Sequence, residues 1–209
     1  MNCLIKYCAA IAVMSMMVAA CGSGNGVSQK KIENGKVTPV VKCSSDSTIS
    51  YALFVPSNYD DNKKWPLIIA FDPHAAGQLP VNLLQEEAEK HGFLVAGSNN
   101  SKNGMDFNES KSIYHKMLDD LSARFSIDTA LVYTLGFSGG GRVAGSLAMT
   151  EGGIAGVVSC GAGLSSNGQP PRQAFSFLGI AGTSDFNWTE LASLDPQLEQ
   201  AGFTHHFLD

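Results

Sequence analysis

Hydrophobic residues fall along the chain in short blocks that switch between two periods. Trp65-Pro66-Leu67-Ile68-Ile69-Ala70-Phe71 is a nearly continuous apolar run, as expected of a strand buried on both faces. Leu131 to Leu135, Ile154 to Ser159 and Phe175 to Ala181 read the same way, and Phe93 to Gly97 is a shorter strand. Thr48 to Val55 alternates and stops at Pro56, the pattern of an antiparallel edge strand. Between these blocks the period lengthens. Leu83 to Lys90 reads as a helix ending at His91-Gly92, and Ile113, Met117, Leu121 and Phe125 recur at helical spacing within Glu109 to Phe125. Trp188 to Glu199 is a further helix that Pro196 breaks or restarts. Phe203 to Leu208 begins a last strand, and Lys30 to Ser47 is polar and unpatterned, an arm leading into the fold. Buried strands alternating with helices predict an α/β fold, a mostly parallel sheet covered on both sides. Ligands in such sheets sit beyond the carboxyl ends of the strands. The loops Asp72 to Gly77, Gly136 to Gly140 and Gly182 to Trp188 gather there.

One junction carries chemistry. The run Leu131-Val132-Tyr133-Thr134-Leu135 passes through Gly136-Phe137-Ser138-Gly139-Gly140 into a helical pattern. Strand, G-x-S-x-G, helix is the context of a nucleophile elbow. Glycines two before and two after the serine permit the sharp turn, where a Cβ would clash. The turn lifts Ser138 Oγ clear of the sheet, and the helix N-terminus beneath favours developing negative charge. Gly141, Ala144, Gly145 and Ala148 follow at helical spacing, a small-residue stripe that lets the helix lie close on the sheet. A serine alone is a poor nucleophile. It needs a base, and the base needs an orienting acid, in the chain order Ser, Asp or Glu, His. Asp185, in the turn Gly182-Thr183-Ser184-Asp185 after a buried strand, is the obvious acid; the alternative is an N-cap for the helix that follows.

Composition narrows the partners. The 209 residues suit one domain, and a net charge of −5 with no basic run argues against nucleic acid. No Cys/His spacing suggests a metal, and no cofactor is expected. At the N-terminus Lys6 precedes an apolar stretch, Tyr7 to Ala20, followed by Val18-Ala19-Ala20-Cys21. This resembles a bacterial lipoprotein signal, which implies a lipid on Cys21 and an exported, membrane-anchored protein of the cell envelope. A plain secretory signal with a coincidental cysteine is the alternative. Gly22-Ser23-Gly24-Asn25-Gly26 then reads as a flexible tether. Cys43 and Cys160 would remain in a compartment where disulfides persist; their spacing does not say whether they pair, and two small buried or idle thiols are the reading favoured.

Residues 48 to 209 resemble the α/β-hydrolase fold, in particular small secreted esterases related to dienelactone hydrolases and polyhydroxybutyrate depolymerases. The likeness rests on Tyr51-Ala52-Leu53-Phe54-Val55-Pro56, Pro66 through His74, Gly136 through Gly140, and Gly182-Thr183-Ser184-Asp185. It implies Ser138 as nucleophile and Asp185 as the triad acid. The oxyanion hole would combine the Gly139 N–H with one from the loop after Phe71. That loop has Asp72-Pro73 where the family has His-Gly, and proline has no N–H. The second donor is therefore expected at His74 or Ala75. The family keeps its base after the last core strand. His205 and His206 are the only histidines beyond Asp185, and neighbours in a strand face opposite ways. The base is expected beyond Asp209, in a chain lacking the last strand and helix with its His loop.

The domains so read are a signal at 1–20, a tether and arm at 21–47, and a hydrolase domain at 48–209. The function expected is a serine esterase acting through an acyl-enzyme on a small-molecule or polymeric ester. A surface-anchored binding protein on the same scaffold, with the serine idle, and a serine peptidase are the alternatives.

Overall fold

A computed structural model describes residues 31–164 and 170–208. The segments read above as signal and tether, Cys21 included, lie outside the described residues. The strands are β1 (Val37–Lys42), β2 (Ser50–Phe54), β3 (Trp65–Phe71), β4 (Leu94–Ser98), β5 (Ile127–Phe137), β6 (Gly156–Cys160), β7 (Ser176–Ile180) and β8 (His205–Leu208). Among the described residues four helices accompany them: α1 (Gln78–His91), α2 (Phe107–Arg124), α3 (Gly139–Thr150) and α4 (Trp188–Gln200).

The strands form one sheet in the order β1-β2-β4-β3-β5-β6-β7-β8. β2 pairs antiparallel with both β1 and β4, and every pair from β4 to β8 is parallel. The chain leaves β3 in one direction to reach β4 and returns past it to β5. The strand order therefore reverses between β3 and β5, and a crevice opens at their carboxyl ends. That crevice positions the site.

Leu67, Ile69 and Phe71 of β3 are fully buried in the main core, with Met117 and Leu121 of α2, Ala144 and Leu147 of α3, and Leu191 and Leu198 of α4. Ile68 points the other way, toward Val81, Leu84 and Ala88 of α1. On α1's side the cover ends with β3. Leu135, Val158 and Leu178 are half-buried, and Leu131, His206 and Leu208 are exposed. Among the described residues no helix lies over them, so the expected two-sided cover holds only for the first half of the sheet.

Several boundaries differ from those expected, each for a local reason. The stretch read as an arm contains β1, so the sheet begins at Val37 rather than after residue 47, and β2 is internal instead of an edge. Pro39 sits where the β1–β2 register shifts, between Thr38 and Val41, a place an edge strand tolerates proline. α1 starts five residues before Leu83, because Pro80 falls in its first turn, where no N–H is needed. α4 runs unbroken through Pro196. Proline there frees the carbonyl of Ala192, and that residue is exposed to water. β8 does form and adds a third parallel strand after β5. Cys43 and Cys160 are both free thiols.

One buried ionic cluster locks the β1 end of the sheet to α2. Asp120 accepts from the Tyr51 hydroxyl at 2.7 Å, Arg124 Nε at 2.7 Å and the Ser44 N–H at 2.9 Å. Burial alone would raise the carboxyl pKa, but bonds from Arg124, Tyr51 and Ser44 outweigh it and hold the group at about 2. A carboxyl depressed on folding stabilises above its unfolded value and loses that contribution as pH falls through the folded one. The difference from 3.8 is worth about 2 kcal/mol. Urea unfolding at pH 5 and pH 2 should therefore show the wild type losing about 2 kcal/mol more than Asp120→Asn. Equal losses would remove Asp120 from the acid sensitivity.

Candidate active site

The elbow forms as its residue types require. Ser138, between β5 and α3, has φ 52° and ψ −121°, a conformation that L-residues avoid and glycine adopts freely. Its N–H is held by the Cys160 carbonyl at 2.8 Å, at the end of the neighbouring strand β6. The flanking glycines are required by proximity. A Cβ on Gly136 would run into the Gly140 backbone, and one on Gly140 would run into the Phe71 carbonyl at the end of β3. Buried Gly141, Ala144, Gly145 and Ala148 bring α3 down onto β5 and β6, with Gly141 against Ser159 and Ala162. Ser138 is left half-buried at the head of a helix whose first N–H groups have no intrahelical acceptor.

Asp185 lies on the same side of the sheet. Its Oδ2 is 3.0 Å from where a Cβ of Gly161 would stand, and Gly161 directly follows Cys160, the partner of Ser138. The Phe137 ring approaches the same point, at 3.5 Å. Ser138 and Asp185 thus flank one end of β6. The helix α4 begins after Asn187, which has no side-chain capping bond; Asp185 Oδ1 instead accepts the Asn187 N–H at 2.8 Å. Of the aromatics near the elbow, Phe137 is 56% and Phe186 89% exposed. Trp188 instead lines a cavity of about 240 Å³ between α4 and β8, with Leu191, Asp195 and Phe207.

The loop after β3 differs from expectation. Asp72 is buried, and its Oδ1 accepts the N–H of His74 at 2.8 Å and of Ala76 at 3.3 Å, while the Ala75 N–H goes to the Asp72 carbonyl at 3.2 Å. A buried carboxylate needs donors and takes the nearest amides. The N–H groups of His74 and Ala75 are therefore engaged within their own turn, with Ala75 at φ 59°. Gly139 opens α3, so its N–H has no acceptor within the helix. A residue with no sequence signal joins it here. Asn103, on the loop after β4, gives its N–H to the Pro73 carbonyl at 2.9 Å, and its side-chain oxygen lies against the Gly139 Cα.

The five histidines separate clearly. His91 pairs with Glu87 at the end of α1, and His115 with Glu151 beyond α3. His205 opens β8 at its amino end, with Nε2 3.0 Å from Asp195 and Nδ1 2.9 Å from the Phe203 carbonyl. His206 is exposed on the open face. His74 alone sits on a carboxyl-end loop, its ring 83% exposed and Nδ1 3.8 Å from Asp72. None hydrogen-bonds to Asp185 among the described residues. No group of three metal-ligating side chains occurs among them either.

No family model matches the chain, and no curated protein matches it. Solved structures do. It superposes on an S-formylglutathione hydrolase from Staphylococcus aureus with TM-score 0.65 and 14% identity, over 77% of this chain and 81% of that one. A ferulic acid esterase gives 0.62 and 14%, over 82% and 88%. A dienelactone hydrolase-like promiscuous phosphotriesterase from metagenomic libraries gives 0.58 and 16%, over 77% and 74%. At such identities the likeness shows the fold, and the fold is that of the α/β-hydrolases.

Proposed function

We propose that this protein is a serine hydrolase that cleaves carboxylic esters through an acyl-enzyme on Ser138. The observation that carries the reading is the strained Ser138 backbone at the sheet's switch point, on the head of α3. Strain of this kind costs about 1–3 kcal/mol and persists where function requires the geometry. Ser138 Oγ adds to the ester carbonyl as its proton passes to a histidine. The carbonyl oxygen takes the negative charge toward the Gly139 N–H, and the carbon–oxygen bond breaks as the histidine returns the proton to the departing alcohol. Water then repeats the sequence on the acyl-enzyme. Asp185 orients the histidine. The resemblance puts that base after β8, whose last carbonyl, Leu208, accepts the Ala181 N–H at 3.0 Å, four residues before Asp185. The N-terminal segment, read as a lipoprotein signal, would hold the enzyme at the cell envelope through Cys21. The structural neighbours include a ferulic acid esterase and a thermostable esterase, which makes small and polymer-linked esters the substrates to try.

The test is hydrolysis of acetyl, butyryl and feruloyl esters by the full-length gene product beside its Ser138→Ala variant. Turnover by the wild type should fall by about 10⁶ in the variant. Equal rates would remove Ser138 from the chemistry. One observation favours a second reading, a binding protein on this scaffold: Asp72 occupies the N–H groups expected to complete the oxyanion hole. Ester binding without turnover would select it.

A further inference from the structure

Ser138 and Asp185 belong to one closed circuit of hydrogen bonds that the reaction itself does not consume. From Ser138 the chain enters α3, and three residues past Gly139 comes Arg142, whose N–H returns to the Ser138 carbonyl at 3.2 Å. Its guanidinium crosses to α4 and grips Glu190 with two parallel bonds, Nη1 to Oε1 at 2.7 Å and Nη2 to Oε2 at 2.6 Å. Nη2 also donates to Asn187 Oδ1 at 3.3 Å. Asn187 is buried, and every polar group of its side chain is used: Nδ2 donates to the Gly161 carbonyl at 2.8 Å. Its backbone N–H holds Asp185 Oδ1 at 2.8 Å. Gly161 then closes the circuit through Cys160, whose carbonyl takes the Ser138 N–H at 2.8 Å.

Each link restricts the next. A bidentate arginine–carboxylate pair fixes direction as well as distance. The Glu190 side chain lies flat on Gly163, where a Cβ would collide with it, so the pair cannot swing toward the β6 end. Burial of Asn187 means its amide has no water to turn to if Arg142 is lost. The Asp185 carboxylate therefore inherits its orientation from the elbow helix.

We propose that Arg142, Asn187 and Glu190 are positioning residues that hold the Asp185 carboxylate in register with Ser138. The proposal rests on the hydrolase reading. A one-ångström displacement at a catalytic group can cost a hundredfold in rate, so the network should act on the chemical step and leave encounter with the reagent alone.

The test uses a fluorophosphonate, which forms a P–O bond to the serine oxygen with loss of fluoride, on the full-length gene product. The inactivation rate constant and the half-saturating concentration are measured for wild type, Asn187→Ala, Glu190→Gln, Arg142→Lys and the double variant Arg142→Met/Glu190→Met, each with its thermal midpoint. The double variant leaves no unpaired charge, and Glu190→Gln keeps the shape should the others fail to fold. The expected result is a rate constant lowered at least tenfold, a half-saturating concentration within threefold, and partial rescue in Arg142→Lys. Rate constants within twofold of wild type in cooperatively melting variants overturn the network while leaving the hydrolase reading intact. A wild type that is not labelled overturns both.

Discussion

Replacing Ser138 by glycine is expected to stabilise the protein by about 1 kcal/mol while abolishing the ester hydrolysis proposed for it. Two terms decide the sign. Relief of the backbone at φ 52°, ψ −121° returns about 1–3 kcal/mol. The added freedom of glycine in the unfolded chain costs about 0.5–1 kcal/mol. The difference should raise the thermal midpoint by roughly 2–4 °C in a chain of this length. Ser138→Ala removes the same hydroxyl but keeps the strained φ, so it should lose the activity without the gain in stability. The pair separates strain from chemistry. A glycine variant less stable than the alanine variant would mean that the Ser138 backbone is not strained.

Gly140→Ala should have the largest effect on the fold. A Cβ at Gly140 falls 2.6 Å from the Phe71 carbonyl carbon and 3.1 Å from the Asp72 nitrogen. Both are main-chain atoms at the end of a central strand, so neither can move aside as a flexible side chain would. Overpacking of well-filled sites costs about 1–3 kcal/mol, and a clash with fixed backbone belongs at the upper end. Relief requires α3 to lift from β3, which would carry Ser138 away from the crevice. Denaturant unfolding should show a loss of about 3 kcal/mol, together with loss of ester hydrolysis. A stable, active Gly140→Ala protein would contradict the close approach of α3 to β3.

The elbow was legible because its determinants are local: an apolar run, two glycines at fixed offsets from Ser138, and a stripe of small residues. β3 was legible for the same reason, its apolar run being long and bounded. β1 was not, since Val37 to Lys42 carries a proline and a terminal lysine, and only pairing with β2 makes it a strand. α4 misled through Pro196, because exposure of Ala192, a tertiary fact, decides whether a freed carbonyl is tolerated. The site divides along the same line. Ser138 and Asp185 could be named from motif and chain order. Asn103, Arg142 and Asn187 could not, because their side chains' partners lie tens of residues away and their own neighbours mark nothing. The capture of the His74 N–H by Asp72 is a contact over two residues, yet it too escaped, since an Asp-Pro-His turn reads the same whether its amides face inward or toward a ligand.

What matters most is whether the oxygen of Ser138 reacts as a nucleophile. Intact-mass and peptide mass spectrometry of the full-length gene product after treatment with a fluorophosphonate measures this directly. A single phosphonyl adduct is expected, mapped to Ser138 and absent from heat-unfolded protein. An unmodified folded protein, or an adduct on any other residue, would contradict it.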